Sequence, residues 1–129
     1  MKQEEKELLL VDLSARFPYN VAIDCRSEDS RFTCYLTTDM LREIQNNTCY
    51  WEYKPFLFPL LSMTEEQKEE YHYIVNYISP DDTNIWKEGE FIYVNQMTAL
   101  LHFYHKNHLD YRGLIPKGLA NDASGLNVY

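Results

Sequence analysis

The spacing of apolar residues near the start of the chain predicts a helix over residues 3–16. Four apolar residues fall on one side of such a helix: Leu9, Leu10, Leu13 and Phe17. Glu4 and Glu5 occupy its first turn, where the helix dipole favours negative charge. Pro18 disfavours helical geometry at the residue before it, so we expect the helix to end there.

From residue 21 the apolar residues recur with a period of two, which is typical of strands with one buried face. Two segments show this alternation, with Val21, Ile23 and Cys25 in the first and Phe32, Cys34 and Leu36 in the second. The polar residues 26–31 (RSEDSR) between them predict an exposed hairpin loop. Residues 40–45 fit either a strand or a short helix.

A further strand is predicted over residues 48–53 (TCYWEY), with Cys49, Trp51 and Tyr53 on one face. We expect Pro55 and Pro59 to stop this strand and to carry the chain out of the sheet. Residues 21–58 therefore predict a small, strongly twisted antiparallel sheet of three to five strands. A compact SH3-like barrel and a simple meander fit this pattern equally well.

Two helices are predicted in the second half of the chain. Ser62 with Glu65 and Thr64 with Gln67 each fit a capping box, after which a helix continues to about residue 79. Its buried stripe is expected to consist of Tyr71, Ile74, Val75 and Ile78. Asn95 fits the cap of a last helix that reaches about residue 107. Between these helices, residues 85–94 predict a short hairpin or an irregular arm with a turn at Glu88 and Gly89.

These elements predict a single domain over residues 1–129 of the α+β class. Its parts are an N-terminal helix, a small antiparallel and possibly SH3-like sheet, two further helices and a docked C-terminal tail.

The charge balance argues against direct nucleic-acid binding, because 20 acidic residues outweigh 12 basic ones and the bases are scattered. A soluble surface or a mimic of nucleic-acid charge fits this balance. Three widely separated cysteines are typical of a reducing compartment. The apolar run at residues 8–11 is too short for a signal peptide or a membrane span, so we expect a cytoplasmic protein without membrane contact.

Three histidines in the last predicted helix suggest a metal site at first sight. Residues His102, His105 and His108 are spaced by three, and a helix turns by about 100° per residue. His102 and His108 then point too far apart to share one ion. We expect the buried side of this helix near Met97 and Tyr104, with His102 in solvent. The spacing therefore predicts no metal site, and no motif in the chain predicts a cofactor.

The segment at residues 108–118 (HLDYRGLIPKG) fits two interpretations. In the first it is a structural tie: Asp110 caps locally or pairs with Arg112, Gly113 takes the left-handed conformation, and the apolar residues cover the core. In the second it is a binding loop that exposes Tyr111 and Arg112, since both residue types are enriched at binding hot spots. The tie is favoured, because each residue has a structural reason to be present. Tyr111 and Arg112 remain the candidate binding residues.

Three blocks of the chain resemble a known family. They are LLLVDLSARFPYNV at residues 8–21, YKPFLFPLLSMTEEQKEEY at residues 53–71 and KNHLDYRGLIPKGLA at residues 106–120. Together they resemble a family of small uncharacterised proteins encoded by gut anaerobic bacteria and by their prophages and related mobile elements. The resemblance implies membership of such a gene set and assigns no catalytic residue.

These observations lead to one hypothesis of function and two alternatives. The chain is expected to be a non-enzymatic accessory protein of a phage or mobile element that contacts an unidentified protein partner. That hypothesis requires an exposed apolar or aromatic patch. The first alternative is an acidic nucleic-acid mimic that inhibits a host protein. The second is a small hydrolase-type enzyme, which requires a concave pocket with convergent titratable groups.

Overall fold

The computed structural model describes residues 1–81, 83–87 and 90–129, with residues 83–87 and 90–94 described by their backbone alone. The helices in these residues are α1 (Gln3–Arg16), α2 (Thr38–Asn46), α3 (Glu65–Tyr77) and α4 (Gln96–Lys106). The strands are β1 (Ala22–Arg26), β2 (Arg31–Tyr35), β3 (Glu52–Leu57), β4 (Thr83–Lys87), β5 (Glu90–Val94) and β6 (Asn121–Asp122). The α+β class and the N-terminal helix are therefore confirmed.

The main sheet has the strand order β2-β1-β3-β6. Strand β1 pairs antiparallel with both β2 and β3, in agreement with the predicted antiparallel sheet, whose strand order the sequence left open. Strand β6 comes from the C-terminal tail and runs parallel to β3, with Phe56 opposite Asn121. The tail thus docks by adding a strand, which makes the sheet mixed. Strands β4 and β5 form a separate antiparallel pair, and the turn predicted at Glu88 and Gly89 lies outside the described residues.

The structure decides between the two alternatives for residues 40–45, in favour of the helix, and corrects the prediction for the third strand. Residues 40–45 are part of helix α2, which begins where the Thr37 hydroxyl accepts a hydrogen bond from the Met40 N–H. The third strand begins at Glu52, so Pro55 lies inside β3 and does not end it. Pro55 faces Ile23 at a position where antiparallel neighbours exchange no hydrogen bonds, so its missing N–H leaves the pairing with β1 intact.

The main core lies between the sheet and the helices α1 and α2. Its buried residues are Leu9, Leu13, Val21, Ile23, Cys25, Leu36, Met40, Ile44, Leu57, Leu114, Leu119 and Ala120. A second cluster, formed by Ile74, Phe103 and Leu109, joins α3 to α4. Helix α3 begins with the capping box of Thr64 and Gln67, whereas the Ser62 hydroxyl donates to the Pro59 carbonyl.

The predicted buried faces of α1 and α4 are only partly right. Phe17 is 40% exposed, while Asp12 and Arg16 are buried beside the leucines of α1. In α4, Met97 is 62% exposed and Phe103 is fully buried, so the helix is rotated from the predicted orientation. The reason is that Phe103 fills the cluster against α3, which the spacing of apolar residues alone did not reveal.

The last residue fastens the tail to the sheet. The Tyr129 hydroxyl accepts a hydrogen bond from the Ala22 N–H at 3.0 Å and donates one to the Phe56 carbonyl at 2.5 Å. It thereby bridges β1 and β3 where direct pairing between them has ended. Among the described residues, none of the helices combines the length and the apolar character needed to cross a bilayer.

Candidate interaction surface

Among the described residues, strand β2 is an outer strand of the sheet and has one backbone edge that no other strand pairs with. The Leu36 N–H donates to the Val21 carbonyl at 3.0 Å, and the Ser27 N–H donates to the Ser30 carbonyl at 2.8 Å. These two bonds fix the alternation of the antiparallel ladder, in which every second residue of β2 bonds to β1. The remaining residues of β2 are Arg31, Thr33 and Tyr35. Their N–H and C=O groups therefore point away from the sheet, where an additional strand can bind.

Three aromatic side chains lie together beside this edge, and we call them the Trp51 group: Phe32, Tyr50 and Trp51. The Phe32 and Tyr50 rings meet Trp51 edge to face, with centroids 4.9 and 5.4 Å apart. Phe32 is 45% exposed and Tyr50 is 76% exposed. On the other face of β2, Tyr35 is also largely exposed. Exposed aromatic rings in mutual contact are typical of protein-binding surfaces.

A buried carboxylate holds β2 in place. Asp24 of β1 accepts two hydrogen bonds from Arg31, at 2.9 and 3.1 Å, and one from Asn121 of the tail at 2.7 Å. Bidentate pairing of this kind fixes the orientation of the guanidinium group. The Arg31 side chain is thus anchored on one face of β2, while more than half of its surface remains exposed.

The segment at residues 108–118 has the geometry of a structural tie. The Asp110 carboxylate accepts hydrogen bonds from the Leu114 and Ile115 N–H groups, at 2.8 and 2.9 Å. Gly113 has a φ of +73°, in the left-handed region that glycine adopts without a steric penalty. Leu114 is fully buried in the main core. Asp110 therefore caps locally, and the predicted alternative of a pair with Arg112 is not formed.

Tyr111 and Arg112 lie in a polar cluster between this segment and α1, which we call the Arg16 cluster: Asp12, Arg16, His105, Tyr111 and Arg112. The fully buried Arg16 donates to the Asp12 carboxylate and to the Leu109 carbonyl, both at 2.7 Å. Arg112 forms a charge pair with the other oxygen of Asp12 at 3.3 Å. This pair is not a hydrogen bond, and Asp12 Oδ1, Arg112 Nε and Arg16 Nη1 are buried without a hydrogen-bond partner among the described residues. The two guanidinium carbons lie 5.3 and 5.0 Å from the centroid of the Tyr111 ring. These contacts account for both candidate binding residues within the fold, and partner binding through them stays a prediction.

The histidines near this cluster have strongly altered pKa values. Burial lowers the pKa of His105 to about 4, and the positive charges of Arg16 and Arg112 act in the same direction. Burial and Arg16 also lower the pKa of His108 to about 4. Both imidazoles are therefore neutral at physiological pH and act as hydrogen-bonding or stacking groups.

The three histidines have three different neighbours. His102 shares a hydrogen bond with the Tyr19 hydroxyl at 2.8 Å, and His105 shares one with the Tyr111 hydroxyl at 2.7 Å. The His108 ring stacks on Tyr129 with centroids 3.7 Å apart. In the described part of the chain, no three groups of the types that bind metals come close enough to hold one ion.

Two of the cysteine thiols meet on the core face of the sheet. The Sγ atoms of Cys25 and Cys34 are 3.3 Å apart, and burial raises the pKa of Cys25 to about 12. A buried thiol with a raised pKa is a weak nucleophile. Cys34 is half-buried, as its strand position indicated. Cys49, which the sequence placed in a strand on the same face as Trp51 and Tyr53, precedes β3 and is exposed.

Two shallow surface cavities are lined by described residues. One, of about 220 Å³, lies between α1, β3 and the tail, and its charged walls come from Glu5, Glu52, Lys54 and Lys117. The other, of about 200 Å³, is mainly apolar and includes Leu61, which is almost completely exposed. Opposite charges are mixed in the first cavity, and Asp110 is the only carboxylate among the residues that line the second.

Sequence reasoning did not identify the two buried carboxylates, Asp12 in the Arg16 cluster and Asp24 beside β2. Asp12 and Arg16 are four residues apart and lie within the apolar stripe of α1. An acidic and a basic residue four positions apart, next to the leucines of the apolar stripe, could have indicated an ion pair on the buried side of α1. Asp24 alternates with Ile23 and Cys25 in a strand that is buried on both faces, and no local pattern marked it as buried.

The three blocks that carry the family resemblance come together in space. Arg16 of the first block donates to the carbonyl of Leu109 in the third. Phe58 of the second block donates its N–H to the carbonyl of His108 and accepts from the N–H of Asp110, both at 2.8 Å. The resemblance thus falls on segments that stabilise one another, and family membership stays a prediction. No family model, curated protein or solved structure matches the chain.

Proposed function

We propose that this chain is a cytoplasmic, non-enzymatic accessory protein of a phage or mobile element, and that it acts by binding another protein. The observation that supports this proposal is the exposed Trp51 group beside the open edge of β2. Tyrosine and tryptophan are enriched among residues that dominate binding energy, because each buries a large rigid ring at a low cost in conformational entropy. The assignment to a phage or mobile element rests on the family resemblance alone.

The Trp51 group is a better candidate for partner binding than the Arg16 cluster. Tyr50 has ring contact with Trp51 and is otherwise mostly open to solvent. Tyr111, in contrast, already has a stacked ring, a hydrogen-bonded hydroxyl and two neighbouring guanidinium groups. A partner that binds Tyr50 and Phe32 buries apolar surface that is now in water, which stabilises a complex by about 25 cal/mol per Å².

The test compares the proteins captured by the tagged chain from a lysate of a gut anaerobe, using quantitative mass spectrometry. The variant Tyr50→Ala combined with Phe32→Ser removes the exposed rings of the Trp51 group. The control is Tyr77→Ala, because Tyr77 of α3 is 78% exposed and stacks on Tyr73 away from β2. We expect a specific partner with the wild-type chain and with the control, and at least about tenfold less of it with the double variant, since loss of a binding hot spot costs about 2 kcal/mol.

A partner that is captured equally by all three chains would contradict the assignment to the Trp51 group. Absence of any protein enriched by the wild-type chain over a tag-only control would contradict the proposed function itself. Circular dichroism on each variant establishes that the fold is retained, so that a loss of capture reports on the surface.

A further inference from the structure

We propose that the open edge of β2 pairs with β2 of a second copy of this chain. The two strands run antiparallel about a two-fold axis at Thr33. This arrangement joins two four-stranded sheets into one continuous sheet. It goes beyond the proposed contact of the Trp51 group with a partner, and the two surfaces share Phe32.

The backbone groups of β2 are self-complementary in this register. The groups that point outward belong to Arg31, Thr33 and Tyr35, which are spaced evenly about the centre of the strand. With the axis at Thr33, the two copies of Thr33 exchange hydrogen bonds with each other, and Arg31 of each copy exchanges them with Tyr35 of the other. A shift of two residues in either direction leaves one outward-facing residue of each copy without a partner. The register centred on Thr33 is therefore the one that satisfies the whole edge.

The side chains are complementary in the same register. Arg31 lies across from the exposed ring of Tyr35 in the second copy, which suits a cation–π contact, and Asp24 already holds the Arg31 guanidinium on that face. The two threonines face each other, a favourable cross-strand pair. On the other face, Phe32 lies opposite Cys34. No like charges meet along the strand.

Strand β2 lacks most of the features that usually prevent edge pairing. Protective edges are very short or carry proline, charged side chains such as lysine, a bulge or a covering segment. The one charged side chain of β2, Arg31, lies at the end of the strand and is paired with Asp24. The sequence of β2 is RFTCY, its pairing with β1 is unbroken from Arg31 to Tyr35, and its side chains are exposed except for Cys34, which is half-buried. The two-fold axis is perpendicular to the sheet, so the same face of the sheet points the same way in both copies. The two Trp51 groups would therefore lie on one face of the dimer.

The first test measures the oligomeric state by sedimentation velocity over micromolar to millimolar concentrations of the full chain. We expect the wild type to form a dimer and Thr33→Pro to remain monomeric. Proline at this position removes an outward N–H and leaves the bonds to β1 intact. The control is Thr38→Pro, because Thr38 is the first residue of α2, where proline is well tolerated. A wild type that is monomeric throughout, or a Thr33→Pro variant that dimerises like the wild type, would overturn the proposal.

The second test measures the register. In a background with Cys49→Ser, which removes the exposed thiol, Thr33→Cys places two thiols across the axis. Directly paired residues have Cα atoms about 5.5 Å apart, which a disulfide spans. We expect Thr33→Cys to give a covalent dimer under mild oxidation and Ser30→Cys, three residues from the axis, to give none. Efficient cross-linking through Ser30→Cys alone would overturn the register.

The two proposals fail separately. A monomeric chain that still captures a partner through the Trp51 group overturns the dimer and leaves the proposed function intact. A dimer that captures no partner contradicts the proposed function and leaves the pairing of β2 intact.

Discussion

The Arg16 cluster and the edge of β2 contain the same residue types in opposite situations. In the Arg16 cluster, Arg16 is fully buried and Tyr111 and Arg112 are partly buried, and their charges and hydroxyl group are paired with Asp12 and His105. At the edge of β2, Tyr35 and Arg31 keep much of their surface in water, and no strand among the described residues pairs with the outer side of the backbone between them. Arg31 is anchored by Asp24, whereas the Tyr35 ring is largely exposed and can contact another protein.

The difference shows that residue type alone does not identify a binding site. What separates the two regions is how far the tyrosine side chains and the backbone groups already have partners within the described chain. A buried polar group that has its partners stabilises the fold, and a second partner gains little from it. An exposed ring can still bury apolar surface against a partner, and an open strand edge can still form hydrogen bonds with another chain.

The largest effect is expected from Asp12→Ala, which removes the carboxylate that both arginines contact. Arg16 then remains fully buried without its counter-ion, and breaking a buried pair in this way costs about 3–5 kcal/mol. Urea denaturation followed by circular dichroism should show this loss in the free energy of unfolding. The matched control is Asp39→Ala, because Asp39 also pairs with an arginine but is exposed to solvent.

The control should change the free energy of unfolding by less than about 1 kcal/mol, the range of surface pairs. Equal effects of the two substitutions would mean that the Arg16 cluster is no more structural than the surface. A double variant, Asp12→Leu with Arg16→Met, sharpens the comparison. We expect it to be more stable than Asp12→Ala, since the fully buried charge of Arg16 is removed as well and only the partly exposed Arg112 loses its counter-ion.

The stability of the fold is expected to fall as the pH is lowered, because His105 and His108 are buried as neutral imidazoles. Burial lowers the pKa of His105 and His108 to about 4 in the folded chain, whereas an unfolded histidine titrates near 6.5. Between these values the unfolded state binds more protons, so the stability contributed by these groups is complete above about pH 6.5 and is lost as the pH falls towards 4. From pH 7.5 to 5.5 we expect the free energy of unfolding to fall by up to roughly 2–3 kcal/mol.

Urea titrations at a series of pH values measure this effect. His72 lies on the exposed side of α3, so His72→Gln should retain the full pH dependence. The variant His105→Gln should reduce it by about half, because one of the two groups is removed. A flat profile from pH 7.5 to 5.5 would show that the histidines are open to solvent, and the cluster would then resemble the edge of β2.

Much of the fold was predictable because it depends on local patterns. The helix caps at Thr64 and Asn95 and the hairpin between β1 and β2 follow from residues that are close together in the sequence. The start of β3 was placed too early and Pro55 was taken as its end. The reason is that proline is acceptable at a strand position whose N–H is not needed, and that depends on the register with β1.

The site was less predictable, because its parts meet only in three dimensions. Tyr111 and Arg112 were selected as candidate binding residues by type, and their partners Asp12 and Arg16 come from a helix about a hundred residues away. The Trp51 group likewise combines a hairpin strand with the segment before β3. The order of strands decides which edge is open, and alternation within a strand carries no information about that order.

The smallest effect is expected from removing a single hydroxyl group in each region. Tyr111→Phe leaves the buried Nε2 of His105 without its hydrogen bond at 2.7 Å, so we expect a loss of about 1–2 kcal/mol in the free energy of unfolding. Tyr50→Phe keeps the ring in contact with Trp51 and changes only a hydroxyl in solvent, so its effect should stay within about 0.5 kcal/mol. Urea denaturation of both variants measures the difference. If Tyr111→Phe changes the free energy of unfolding as little as Tyr50→Phe does, the Tyr111 hydroxyl does not stabilise the fold. The interpretation of residues 108–118 as a binding loop would then be favoured. If the difference is found, the Tyr111 hydroxyl is held by a partner inside the fold, whereas Tyr50 remains exposed and can bind another protein.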